Sequence, residues 1–288
     1  MSEQKEVFDA EQGHGNRLDS IAYEGEEERI LSLIPDMLQK ATVLTGTAEE
    51  LPCSLGEDYP DRLKFVMLAD NEGPLHLNML IGCSVHGTHH ELLSFYPELI
   101  GNEIPVVLTA IHEWSNGVEA TLEGTFCDGE RNIAFFDTRY IARKGKYEIG
   151  KTCRFRLAAL AETCEILKER TFSFEGRQAV DFRAKLGEEA EYDENGNVKP
   201  VVFDLSEMVA FLQSSVAYPH VAEFQSPAAE VEVLNAWDRE YYSIGINIGG
   251  EDRDAVRIPL LAKKTFFGAT PQPGDPIRGV ALVIGYAV

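Results

Sequence analysis

"CRFRLAALAETCEILKE", residues 153 to 169, and "IRGVALVIGYAV", residues 277 to 288, can play the same part in one fold only if both are strands. The first is rich in Ala, Leu and Glu, and Leu157, Leu160, Cys164 and Leu167 fall near helical spacing, so propensity alone favours a helix. The second places Val280, Leu282, Ile284 and Tyr286 on one face at a period of two, which is a strand pattern. Alternation also runs through Cys153, Phe155, Leu157, Ala159 and Ala161. The residues upstream of each stretch decide the conflict.

Counted from Val106 and from Val231, the same landmarks recur in the same order. Trp114 matches Trp237, Phe135 and Phe136 match Pro259 and Leu260, and Gly150 of YEIGK matches Gly274 of PQPGD. Each copy reads as a strand, a tryptophan, a longer strand, an acidic turn, a strand, a glycine-centred turn and a last strand, so 152–163 is taken as a strand. Two copies of a small β unit are the simplest account, because short strands separated by turns close into compact barrels or sandwiches. The fold class expected is α+β, predominantly β: two related small β-barrel units in tandem, OB-like in architecture, with a few short helices. That likeness carries no function with it.

The rest of the chain is arranged around these units. Residues 1–25 are polar and acidic and read as a loosely held arm. Residues 26–170 hold an amino-terminal helix, a hairpin and the first barrel unit. The helix follows from Ile30, Leu31, Leu33, Ile34 and Leu38, with Pro35 interrupting it. The hairpin follows from Leu63, Phe65, Met67 and Ala69 alternating before the turn signal DNEG, and Leu75, Leu77, Met79, Ile81, Cys83 and Val85 after it. Its second strand puts His76, Asn78 and His86 on the face opposite the apolar one. Residues 171–220 carry the acidic loop GEEAEYDENGNVKP and a linking helix, with Asp204 as N-cap, Glu207 three positions later and Met208, Val209 and Leu212 on one face. Residues 221–288 form the second unit.

Totals bound the function. In 288 residues, 48 acidic side chains face 26 basic ones, a net charge of -22, so direct binding to nucleic acid or to an anionic membrane is disfavoured. Cys53, Cys83, Cys127, Cys153 and Cys164 are odd in number, widely spaced and without a C-x-x-C pair, which suggests free thiols rather than a disulfide framework. The polar start MSEQKEVFDAEQGHGN lacks the features of a signal peptide, and no apolar run approaches the ~20 residues that span a bilayer. A cytoplasmic protein is expected.

Chemistry is concentrated in CSVHGTHHEL, residues 83–92. Thr88 and Glu91 match the capping pattern T-x-x-E, so a short helix is expected with His89 and His90 in its first turn. The helix dipole would keep those imidazoles neutral and able to bind metal, and with His86 and Glu91 or water they would satisfy zinc. Against this, H-E-x-x-H is absent and neighbouring histidines on a helix diverge by roughly 100 degrees. His112 and Glu113 would lie on opposite faces of a strand and not meet. Trp114 and Trp237 are candidate binding residues, with packing at a barrel end as the competing role. Asp137 and Arg139 share a strand face and predict an ion pair. GINIGG, from Gly245, is read as a turn or bulge, and neither a P-loop nor G-x-S-x-G occurs.

These readings favour a binding or scaffold protein whose partner is another, basic protein. The rival is a metal-dependent, hydrolase-like enzyme using the cluster His86 to His90. An acidic mimic of nucleic acid rests on charge alone. The sequence names no cofactor and leaves oligomeric state open.

Overall fold

A computed structural model of the chain describes residues 17–57, 59–71, 73–84, 90–126, 129, 131–213, 218–250 and 255–288. It is predominantly β, with three α-helices and two short 3-10 turns among these residues. Ser20, Ile21 and Ala22 are buried, and Lys263 Nζ donates to the carbonyls of Asp19 and Ala22. Helix α1 (Glu27–Lys40) runs through Pro35 without a break, so the expected interruption is absent. Ile30, Ile34 and Met37 form its buried face, at the spacing that a helix lying on a sheet requires.

Strands β1 (Thr42–Gly46), β2 (Leu51–Pro52), β3 (Arg62–Ala69), β4 (Leu75–Cys83) and β5 (His90–Leu99) form the first sheet, in the order β1-β3-β4-β5 with β2 also on β3. The expected hairpin is β3–β4. Leu75, Leu77 and Met79 pack towards α1, while Leu80, from the opposite face of β4, joins Phe65, Tyr96 and Trp114 in another cluster. The helix expected at Thr88 to Glu91 is not formed by His90 and Glu91. From His90 the chain is strand β5, in an antiparallel ladder with β4 from Leu75↔Leu99 to Cys83↔His90. A capping pattern is a local signal, and a nine-pair ladder outweighs it. Residues 85–89 lie outside the described residues.

A ten-stranded sheet carries the rest. Strand β6 (Asn102–Glu113) is followed by β7 (Ala120–Phe126), β8 (Asn132–Asp137), helix α2 (Tyr140–Arg143) and β9 (Thr152–Ile166). The first half of β6 pairs with β9 and its second half with β7, and β8 pairs with β7. Then come β10 (Thr171–Phe174), helix α3 (Gly176–Lys185) and β11 (Val201–Asp204), where β10 and β11 form a separate two-stranded sheet. Next are β12 (Ala210–Leu212), β13 (Val221–Pro227), β14 (Val231–Ala236), β15 (Arg239–Gly249), β16 (Val256–Lys263) and β17 (Pro276–Ala287).

Two closed circuits of pairing result. The first runs β6, β7, β8, β17, β9 and back to β6, closed where Phe136 and Asp137 lie parallel to Ile284 and Gly285. In the second, β13 pairs with β17, its continuation β14 pairs with β15, β15 with β16, and β16 lies parallel to β9 at Leu260 and Leu261. The bend between β13 and β14 is itself bonded to β15 through Gly245. Both circuits share the antiparallel pair β9–β17.

The middle of strand β9, from Leu157 to Ala161, is buried on both faces. Phe155, Leu157, Ala159 and Ala161 join the largest apolar cluster, with Phe135, Ile244, Leu260 and Val283, and Ala158 and Leu160 join the cluster under α1. A strand covered on both sides reads as a continuous apolar run, which is why 153–169 looks helical in composition. Each large apolar side chain so buried contributes roughly 1.5–3 kcal/mol.

The helix expected from Asp204 is also absent. Asp204 ends β11, its Oδ1 accepts the Ser206 N–H at 2.8 Å, and Phe211 of β12 pairs with Phe224 of β13. The aspartate closes an Asx turn instead of capping a helix. GINIGG contains the expected bulge, between Asn247 and Gly249 of the β15–β16 ladder.

Glycine sets the closeness of the shared pair. A Cβ at Gly279 would lie 2.0 Å from Thr163 O and 2.8 Å from Thr163 C, so Gly279→Ala would push β17 off β9. The expected loss is about 3 kcal/mol, the upper end of ordinary overpacking, measured by denaturant unfolding. A loss under about 1 kcal/mol would mean that the strands can separate locally without strain.

Candidate functional site

The cluster read from the sequence is only partly within view, because His86 and His89 lie outside the described residues. His90 and Glu91 are successive residues of β5 and so face opposite sides of the sheet. His90 Nδ1 is 3.3 Å from Cys83 Sγ across the ladder, and Glu91 Oε1 accepts the Tyr59 hydroxyl at 2.8 Å. Among the described residues, no group of three or more His, Cys, Asp or Glu side chains is arranged to hold a metal ion.

The two tryptophans are packed. Trp114 is 3% exposed, its indole N–H donates to Thr121 Oγ1 at 3.3 Å, and its ring lies against Phe136 and His220. Trp237 sits at φ 51° in the turn between β14 and β15, with Nε1 2.5 Å from Asp70 Oδ2 and its ring edge-on to Tyr241. His112 and Glu113 part as expected. His112 Nε2 is 3.0 Å from Glu123 Oε1, while Glu113 accepts the Tyr140 hydroxyl at 2.7 Å and pairs with Lys144 at 3.1 Å.

The most concentrated chemistry centres on a buried carboxylate that the sequence did not single out. Glu98, near the end of β5, is 0% exposed and stands directly opposite His76 in the β4–β5 ladder. Its Oε1 lies 3.0 Å from His76 Nε2 and 2.5 Å from Arg139 Nη2. Its Oε2 accepts from Asn78 Nδ2 at 2.9 Å, from Arg139 Nε at 3.3 Å and from the Thr138 hydroxyl. Arg139 also lies over the Tyr286 ring at 3.7 Å. Burial would raise the Glu98 carboxyl, but the His76 and Arg139 contacts overcome it and hold the group down at about 2.

Arg139 is not the ion-pair partner of Asp137 that the shared face predicts. It lies just beyond β8, where the chain enters α2, and only its backbone N–H reaches Asp137 Oδ1, at 2.9 Å. The other oxygen accepts the Tyr147 hydroxyl at 2.6 Å. Asp137 is fully buried, and burial pushes its carboxyl up to about 7 against those hydrogen bonds, with charged Glu98 nearby raising it further. Two carboxyls that both bind Arg139 are thus held apart in charge, one ionised and one ready to keep its proton below neutrality.

With five donors on a carboxylate that offers about four lone-pair sites, Glu98 has no acceptor left for a substrate. The centre ties β4 and β5 of the first sheet to the end of β8, and Tyr96 reinforces the tie by donating to Thr138 O at 2.7 Å.

A different kind of site flanks β12. A groove of about 660 Å³ is lined by Glu123, Asn132, Ile133, Ala134, Phe211 and Gln213, among others. Among the described residues no strand pairs with Asn132–Ala134 on the side away from β7, since β17 reaches β8 only at Phe136 and Asp137. The Gln213 side chain takes that place: its amide N donates to Ala134 O at 2.7 Å and its amide O accepts from Ala134 N–H at 2.9 Å. On the other side of β12 a groove of about 600 Å³ is lined by Met208, Leu212, Phe224, Phe266 and Val280, with Glu165, Glu223 and Arg278 on it. Leu212 borders both grooves and is 62% exposed.

No family model, curated protein or solved structure matches this chain. The site is therefore judged on its own chemistry. Cys53, Cys83, Cys153 and Cys164 are free thiols, and no helix among the described residues is long and apolar enough to cross a membrane.

Glu98 could have been found in the sequence. His76 and Asn78 share a face of β4, and a strand reading of HELLSFYPEL would have set Glu98 opposite them. The Gln213 contact carries no sequence signal, because it joins residues far apart in the chain through one side chain.

Proposed function

We propose that the protein is a binding or scaffold protein that takes an extended, basic segment of a partner protein along the open edge of β8. The observation that carries this is the Gln213 amide on Ala134, which offers one donor and one acceptor as a neighbouring peptide group would. Edges that accept a surrogate amide are suited to strand addition, where main-chain bonds give affinity and flanking pockets give specificity. Leu212 and Phe211 supply an apolar wall, and Glu123 within the groove together with the net charge of -22 favours lysine and arginine in the partner. The scaffold is read as two related small β-barrels of OB-like architecture fused through β9 and β17, acting in the cytoplasm, where free thiols persist.

The test is a screen of extended lysine- and arginine-rich peptides against the immobilised full chain, followed by hydrogen exchange. A selected peptide should slow amide exchange at Ala134, lose about tenfold or more in affinity with Leu212→Ser, and associate more slowly as salt rises. Peptides that bind without protecting Ala134, or whose association ignores salt, would place recognition elsewhere.

A further inference from the structure

We infer that Gln213 is an autoinhibitory latch, holding the open edge of β8 closed until an incoming strand displaces its side chain. This rests on the reading of that edge as a docking site. Both bonds of the latch go to one residue: the Gln213 amide N donates to Ala134 O at 2.7 Å, and the amide O accepts the Ala134 N–H at 2.9 Å. In an antiparallel ladder one residue of the neighbouring strand makes the same exchange, giving one bond and receiving the other. A partner strand paired at Ala134 and the Gln213 side chain therefore compete for the same two atoms.

The latch is built to open. Gln213 lies just beyond the last pair of the β12–β13 ladder, Leu212↔Glu223, so its side chain can swing away while that ladder stays whole. It is half-buried and lines the groove of about 660 Å³, where the freed amide meets water. Release also returns the rotamer freedom that a held glutamine gives up. Closed, the latch occupies both main-chain groups of Ala134 and so guards the edge against pairing with unrelated chains. Two neutral hydrogen bonds at a partly exposed position should oppose docking by about tenfold, equivalent to about 1.4 kcal/mol.

The library of lysine- and arginine-rich peptides, applied to the full chain and to Gln213→Met, tests this. Methionine keeps the length of glutamine and makes neither bond. In the peptide-free variant the Ala134 amide should exchange about tenfold faster than in the wild type. Peptides that protect Ala134 should bind the variant about tenfold more tightly. Unchanged exchange at Ala134, or peptides that bind both chains equally, would overturn the latch and leave the docking edge standing. A library that yields no peptide protecting Ala134 on either chain removes the docking edge, and the latch with it. Should methionine disturb the fold, Gln213→Ala supplies the same two readings.

Discussion

Replacing Glu98 by alanine is expected to lower folding stability by about 3–5 kcal/mol, because it strands buried partners that were chosen for a negative charge. Arg139 would keep its position over Tyr286 with no carboxylate to receive its two N–H groups. His76, Asn78 and Thr138 would each lose an acceptor at sites that are 0–3% exposed, and unsatisfied buried donors are expensive. Urea unfolding of the wild type and Glu98→Ala measures the loss. The double variant Glu98→Leu with Arg139→Met separates two explanations, since replacing a buried ion pair by apolar groups of similar volume is often neutral. Partial recovery in the double variant is expected, with a remaining deficit from His76 and Asn78. A Glu98→Ala loss below about 1 kcal/mol would reduce the centre to the rank of a surface ion pair.

The second large effect is a dependence on pH that runs opposite to acid unfolding. Asp137 titrates at about 7 in the folded chain, against 3.8 for an aspartate free in water. Between those values the unfolded chain gives up the proton that the folded chain keeps, so stability is fully present below about 4 and falls as pH rises to about 7. A shift of this size corresponds to roughly 4 kcal/mol at about 1.4 kcal/mol per pK unit. Glu98 works the other way. Its folded value of about 2 lies below the usual 4.5, so its contribution is present above 4.5 and is lost as pH falls towards 2. Asp137→Asn keeps an acceptor for the Arg139 N–H and a group for Tyr147, and has no charge to bury. Stability profiles from about pH 4 to about pH 8 should therefore diverge, with the variant the more stable above neutrality by a few kcal/mol. Parallel profiles would mean that Asp137 ionises without penalty in the folded chain.

How much of this was legible from the sequence depends on how far each signal reaches. The β3–β4 hairpin was plain because Leu63, Phe65, Met67 and Ala69 are buried while Arg62 and Lys64 are exposed, and alternation records that asymmetry. Strand β9 was resolved only by comparison with 277–288, since burial on both faces erases the period. Thr88 with Glu91, and Asp204 with Glu207, are local patterns that a helix would use; the ladder with β4 holds His90 and Glu91 as strand, and the ladder with β13 does the same for Ala210–Leu212. Helix α3 went unread because it buries little beyond Ala179 and Arg183 and so leaves a weak stripe. Of the candidate site, the sequence brought the histidines into view and placed His76 and Asn78 on one face. It missed Glu98, because a helix reading at His89 and His90 removed the strand that sets Glu98 opposite His76.

The β9–β17 pair has a consequence for synthesis. Strand β17 comes after every other described strand in chain order, yet both circuits need it to close. While it is still inside the ribosome, β8 and β13 each have an unmatched side, and the apolar residues of β9 lack their neighbours from β17. Until β17 is added, neither circuit of the ten-stranded sheet can close. Quality control that samples chains before that step would meet an aggregation-prone intermediate, and a stop codon ahead of Pro276 would abolish both circuits at once.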